Sequence, residues 1–297
     1  VIPAFHTHLA SGLTTLCHAW AVTRRDGAVF GFTDHDLDLT FDGITFRADS
    51  GLAARALQQA TGLSVDNTEA LGLLSDTAIS DADIEAGRFD DAEVRCWRVN
   101  WADPAQRLLQ FRGHIGEMRR TGAAFTAELR GLTEALNRPL GRIYQKPCTA
   151  VLGDAACRVD LTGPDHRLTL AVLTITDGRV LRLSGTDTQG TGSQGTGWFR
   201  RGRLAVQDGA ASGLSGTIKR DTLQGALREV ELWEPLRAAL IPGDTVMLTA
   251  GCDKRFDTCR VKFGNLVNFQ GFPDLPGDGW MLRDPAASGT LSGGSRR

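Results

Sequence analysis

The sequence has little that would draw it to nucleic acid, a membrane or an export route. Its 33 Lys and Arg are offset by 35 Asp and Glu, for a net charge of −2. Nucleic-acid binding usually rests on a basic face that displaces counterions, and this charge balance gives no reason to expect it. No run approaches the roughly 20 apolar residues of a membrane-spanning helix. The opening Val1-Ile2-Pro3-Ala4-Phe5-His6 has neither the basic start nor the continuous apolar core of a signal peptide, so maturation in the cytoplasm is expected. Long amphipathic helical patterns are missing. So are the nucleophile elbow G-x-S-x-G, the zinc-protease H-E-x-x-H and a dinucleotide-binding fingerprint. A single tyrosine stands against six tryptophans and thirteen phenylalanines, which suits buried aromatics better than a tyrosine-rich binding face.

What the sequence does have is glycine. The 35 glycines among 297 residues amount to about 12%, against a typical ~7%, and point to short strands joined by tight turns. Arg25-Asp26-Gly27 and Phe41-Asp42-Gly43 are turn signals between apolar segments, the strongest short-range mark of a hairpin. Residues 16–23, 28–32 and 44–46 read as strands around them. Short helices are expected over 52–59 and 81–86. For the second, Ser80 fits an N-cap and Gly87 a stop just past the C-terminus.

Strands return at 92–101, with Trp97, Val99 and Trp101 on one face and Val94 and Cys96 on the other. They continue at 108–111 and 125–130, before one or two helical turns at 132–137. Residues 141–164 read as irregular. Residues 168–175 are apolar on both faces and predict a buried strand, turned back at Asp177-Gly178. A glycine-rich stretch at 185–197 lacks the lysine of a phosphate loop and reads as a flexible connection. Further strands follow to 245–249, with Pro242-Gly243-Asp244 as a turn. The predicted organisation is mainly β. It has an N-terminal β-rich domain over 1–140, a second over 141–280, and a disordered tail over 281–297 rich in Gly, Ser and Arg. Many short strands without long helices fit barrels or sandwiches rather than βαβ units.

Four cysteines fall in two loops, Cys148 and Cys157 in the first and Cys252 and Cys259 in the second. Two thiol pairs from two loops suit one metal centre, because thiolates are the soft ligands of zinc and of iron–sulfur clusters. Neither pair has the C-x2-C spacing of a zinc knuckle, and a cluster spreads its ligands further apart than one ion does. Lys146, Arg158, Lys254, Arg255 and Arg260 flank the pairs and would offset the negative charge of such a centre. Spacing alone leaves zinc, iron–sulfur, two disulfides and four unrelated thiols open, although a reducing cytoplasm disfavours the disulfides. Cys17 and Cys96 lie inside strand patterns and read as small buried residues.

The sharpest polar cluster is Asp34-His35-Asp36, followed by Asp38. As chemistry it would be a divalent-metal site for hydrolysis; as ordinary structure it is an acidic turn at a sheet edge. His6 and His8 form an H-x-H near a terminus read as mobile. His18, His114 and His166 have no partner at motif spacing.

Several segments together carry a family resemblance. They are Gly31-Phe32-Thr33-Asp34-His35-Asp36, Val65-Asp66-Asn67 with Glu69, and Val99-Asn100-Trp101. With them go Tyr144 through Pro147-Cys148, Leu152-Gly153-Asp154 and Cys157 to Asp160, then Gly251-Cys252-Asp253, Thr258-Cys259, Phe263, Asn265 and Asn268-Phe269 to Pro273. Over roughly residues 10–280 the chain resembles the tail-tip baseplate hub proteins of siphophages and bacterial gene transfer agents. Its cysteine-bearing segments are similar to those of the lambda-type minor tail protein that binds an iron–sulfur cluster. The resemblance implies two β-barrel-like hub domains per chain and a homotrimeric ring matching a six-fold tail tube, with DNA passing through the lumen unbound. It implies a distal tail protein, a tip protein with receptor-binding parts and a tail-associated cell-wall peptidase as neighbours. It assigns Cys148, Cys157, Cys252 and Cys259 as ligands of a cluster, 4Fe-4S with zinc as the alternative. The expected function is a non-enzymatic structural hub of a virion-like tail. A hydrolase using Asp34-His35-Asp36 and a soluble iron–sulfur electron carrier are the rival readings.

Overall fold

The computed structural model describes residues 2–48, 53–54, 67–73, 80–121, 124–131, 141–184 and 194–275. The helix expected over 132–137, most of the 185–197 loop and the 281–297 tail lie outside these residues; of the helix expected over 52–59 only Ala53 and Ala54 are described, and they form a short strand. The protein is mainly β with a few short helices, as the sequence predicts, and separates into two compact units, Val1–Pro139 and Leu140–Arg297.

The first unit is built on β1 (Leu16–Thr23), which pairs antiparallel with β2 (Val29–Thr33) on one side and β7 (Glu93–Asn100) on the other. Beyond β2 lie β4 (Ile44–Arg47) and β3 (Leu39–Phe41). Beyond β7 lie β8 (Arg107–Thr121), β9 (Ala124–Gly131), β6 (Asn67–Leu73) and β5 (Ala53–Ala54). Both faces of this nine-stranded sheet are buried near β1. Trp20, Val22, Val94 and Cys96 pack on one face with Phe32, Phe89 and Phe111. Cys17, Ala19, Ala21, Trp97 and Val99 pack on the other with Phe41 and Phe46. The face assignment predicted for residues 94–99 therefore holds. A register shift between Cys96 and Trp97 lies between the two sets.

The hairpin signals act through backbone conformation. Asp42 and Gly43 both have positive φ, 51° and 75°, which is the type I′ pattern that matches strand twist at the β3–β4 turn. Ser80 caps α2 (Asp81–Glu85) by accepting the Asp83 N–H at 3.2 Å, as predicted. The N-terminus differs from expectation. Residues Ile2–Ala10 form helix α1, in which Phe5 is fully buried. His8 on this helix accepts the Thr15 N–H through Nε2 at 3.1 Å, so the H-x-H segment is anchored rather than loose.

The second unit holds a closed six-stranded antiparallel barrel. Its strands are β10 (Arg167–Thr176), β11 (Val180–Ser184), β12 (Arg203–Val206), β13 (Ser215–Gln224), β14 (Leu227–Leu232) and β15 (Thr245–Thr249). They run in the order β10-β11-β14-β13-β12-β15, and β10 pairs with β15 to close the wall. Alternate residues fill the interior, among them Val172, Leu181, Leu183, Leu204, Ile218, Val230 and Leu248. Each such side chain contributes about 1.5–3 kcal/mol of burial. Residues 168–175 are not buried on both faces: Leu170 and Val172 point inward while Leu173 is exposed, because a barrel strand has only one inner face. The 141–164 segment contains no helix or strand, as expected.

Candidate metal centre

The two cysteine loops belong to the second unit. Strand β15 runs into Gly251-Cys252, and Cys259 follows on α3 (Phe256–Val261), where its side chain is buried. The stretch from β15 to α3 is tight. A Cβ on Gly251 would sit 1.9 Å from the Arg200 carbonyl oxygen and 2.4 Å from the Gly202 nitrogen. The glycine therefore serves close backbone approach. Gly251→Ala is expected to displace this loop at a cost of roughly 1–3 kcal/mol or more, read as a lower melting temperature of the second unit.

The first loop is shaped by Asp154. Its carboxylate accepts the Val151 N–H at 2.9 Å, the Ala156 N–H at 3.0 Å and the Cys157 N–H at 2.6 Å. These bonds, the Cys157 N–H foremost, hold its carboxyl below the usual range. The two loops are stitched together by backbone and side chain. The Cys148 N–H donates to the Lys254 carbonyl at 2.9 Å, and the Lys254 ammonium returns a bond to the Ala150 carbonyl. Asn265 donates through Nδ2 to the Cys157 carbonyl at 2.6 Å and lies 3.8 Å from the Cys157 sulfur, while its carbonyl accepts from the Cys259 thiol at 3.3 Å. Phe272 N–H to Gln145 carbonyl, at 2.9 Å, extends the contact outward.

The result is one narrow cavity lined by Cys148, Cys157, Cys252 and Cys259, with Lys254, Arg255, Phe263 and Phe269 among its walls. All four thiols are free. Burial pushes the Cys259 thiol up to about 11, and the neighbouring Cys148, Cys252 and Cys157 sulfurs add to the shift. Burial likewise raises Cys252, against the Lys254 N–H that donates to its sulfur at 3.4 Å. Thiols that oppose one another's ionisation when bare become mutually compatible ligands once a cationic centre sits among them. Four sulfurs in one apolar cavity, with an N–H donor and a lysine at its wall, fit the donor set of an iron–sulfur or zinc site. Among the described residues no three His, Cys, Asp or Glu side chains are already arranged around a single ion.

The other candidates fall elsewhere. Cys17 and Cys96 lie in the two cores of the first unit, and burial raises both thiols. Of the five flanking cations, Lys254 and Arg255 line the cavity. Arg260 pairs with Asp257 at 3.0 Å, and Arg158 turns back to the Ala155 carbonyl. The side chains of the acidic cluster part company. Asp34 binds His18 through the ring at 2.9 Å and the N–H at 2.6 Å, His35 stacks on Trp101 at 5.0 Å, and Asp38 accepts the Ala48 N–H at 2.9 Å. His18 thus has a partner that motif spacing missed, because the β1–β2 pairing brings it there.

Burial pushes the Asp34 carboxyl up, but the two His18 bonds outweigh it and hold it below the usual range. A carboxylate lowered in the folded state stabilises above its unfolded pKa near 3.9 and loses that as pH falls through its folded value. Asp34→Asn is therefore expected to cost up to about 1 kcal/mol at neutral pH. The gap from the parent should close below about pH 4 in acid-unfolding curves.

Comparison with known proteins places this geometry. A family model described as the baseplate hub protein N-terminal attachment domain matches residues 3–160, which include Cys148 and Cys157. A second, described as phage conserved hypothetical protein BR0599, matches residues 197–279, which include Cys252 and Cys259. A search of curated proteins finds no match. Among solved structures, a chain from the virion of a native gene transfer agent particle is 53% identical, covering 98% of this chain and 99% of its own, with a TM-score of 0.88. With more than half its length matched by one family model and nearly all of it by one structure, the chain belongs to the baseplate hub family of phages and gene transfer agents.

Proposed function

We propose that this protein is a non-enzymatic structural hub of a phage-like tail tip, assembled in the bacterial cytoplasm and carried in the particle. Three copies form a ring between the distal tail protein and the tip protein, with the cell-wall peptidase as a neighbour. DNA passes through the lumen without being held. The observation that carries this reading is the 53% identity to a gene transfer agent virion chain over 98% of the sequence. The net charge of −2 supports passage, since a basic lumen would retain DNA through its phosphates.

Within each copy, Cys148, Cys157, Cys252 and Cys259 hold an iron–sulfur cluster, 4Fe-4S in type. The bound group supplies a cross-link between two loops more than ninety residues apart in sequence, in a compartment where a disulfide would be reduced. The shared cavity of the four sulfurs supports this, and so does the cationic and N–H environment around them. The protein's own part is to hold the thiolates in place through Asp154, Asn265 and the Cys148–Lys254 backbone bond.

Native mass spectrometry of the full chain tests the ring. A trimer is expected as the dominant species at micromolar concentration. A protein that stays monomeric there, alone and with its tail neighbours, would rule the ring out.

A further inference from the structure

Beside the thiol cavity, the barrel carries an open cleft of about 460 Å3 that the hub reading does not use. Its walls come from the turn before β12 and from the segment after β15. They bring four cationic side chains, Arg200, Arg201, Arg255 and Lys262, and one carboxylate, Asp253. The cleft therefore carries an excess of three positive charges in a chain whose net charge is −2.

These cations are not spent equally. Lys262 is committed: its ammonium donates to the Gly251 carbonyl at 2.7 Å and to the Trp198 carbonyl, and it sits 4.5 Å from the Trp198 ring centre. It fastens α3 to the turn before β12. Arg201 gives one bond to the Asp253 carbonyl at 3.3 Å. Arg255 lies 3.9 Å from the Asp253 carboxylate and is 82% exposed. Arg200 is exposed, and its guanidinium has no partner among the described residues.

Part of the backbone around the cleft is also spent. The N–H groups of Trp198, Arg200, Arg201 and Gly251 go to the carbonyls of Gly195, Gly197, Ile218 and Trp198, and that of Arg255 goes to the Asp253 carboxylate. A phosphate cradle is made from several convergent free backbone N–H groups, and the five named here are taken. What remains on offer is a set of guanidinium forks on an open surface. That geometry pairs bidentately with carboxylates. A nucleic acid would call for a basic stripe along the molecule rather than one cleft.

We infer that the Arg200–Arg201–Arg255 cleft is a docking site for an acidic peptide segment of a partner protein, recognised through its Asp or Glu carboxylates. Arg200 and Arg201 are outside the lining of the thiol cavity, whereas Arg255 borders both.

The test is fluorescence anisotropy of a labelled, end-blocked hexaglutamate peptide with the full chain. Inorganic phosphate and a single-stranded oligonucleotide serve as competitors. Saturable binding is expected, weakening as salt rises. Arg200→Glu should weaken it at least tenfold and Arg200→Gln less so, with melting temperatures unchanged. Arg182→Glu, on a barrel strand and outside the cleft lining, should change it less than twofold. The proposal is overturned if the peptide does not saturate, if Arg200→Glu binds it as well as the parent, or if phosphate or the oligonucleotide displaces it at lower concentration than unlabelled peptide.

Discussion

Replacing Cys157 or Cys259 by Ser is expected to remove bound metal almost entirely and to lower the melting temperature of the second unit by roughly 10 °C or more. The reason lies in what else holds these loops. The 141–164 segment contains no helix or strand. Around the cysteines its ties to the second loop are hydrogen bonds from Cys148, Asn265 and Lys254, and further out Arg142, Tyr144, Gln145 and Thr149 reach Gln270 and Phe272. Each hydrogen bond is worth about 1 kcal/mol net, which is small beside the several kcal/mol that a metal centre adds when binding and folding are coupled. A serine hydroxyl keeps the size of the thiol but not its ionisation, so it cannot replace a thiolate ligand at neutral pH. The same change at Cys17 or Cys96 buries a hydroxyl in an apolar core. It should cost about 1–3 kcal/mol and leave metal content unchanged. Metal retained in the Cys157 variant, or lost in the Cys17 variant, would contradict the ligand assignment.

Asp221→Ala is expected to destabilise the barrel by about 3–5 kcal/mol, measured by denaturant unfolding. Arg228 is buried, with one guanidinium nitrogen 2.5 Å from Asp221 and the other donating to the Gln194 carbonyl. Asp221 also accepts the Phe199 N–H at 2.8 Å, and the Arg228 guanidinium lies 4.9 Å from the Phe199 ring centre. Removing the carboxylate leaves a buried charge uncompensated and a backbone N–H without its acceptor. The double change Asp221→Leu with Arg228→Met removes both charges and should recover much of the loss, although the Phe199 N–H remains unpaired. A single variant within 1 kcal/mol of the parent would show that the pair is solvated.

This pair marks a limit of what the sequence discloses. Nothing in the residue pattern around Asp221 and Arg228 marks them as a buried pair, and only closure of the barrel turns them inward. The turns were legible because their signals are local: Asp42-Gly43 and Asp177-Gly178 take positive φ in the folded chain as their residue types predict. Ser80 was legible as a cap for the same reason. Helix α1 was not. Pro3 and two histidines in a nine-residue stretch give no amphipathic signal, although Phe5 is fully buried.

At the thiol cavity, the four cysteines were readable as a set. The side chains that position them were not. Asn265 reaches Cys157 across 108 residues of sequence. Nearness in sequence suggested five cations, of which the fold brings Lys254 and Arg255 to the cavity wall. Asp34 and His35 read as partners in one site, yet strand pairing gives Asp34 to His18 and His35 to Trp101.

Anaerobic purification of the full chain, followed by iron, acid-labile sulfide and zinc analysis with a visible spectrum, tests the metal centre most directly. The expected result is a brown protein with iron and sulfide in equal, stoichiometric amounts. That colour and iron should be lost together when Cys157 or Cys259 is changed to Ser. A colourless protein with stoichiometric zinc would contradict the cluster while keeping the four ligands, and a protein with neither metal would contradict the centre itself.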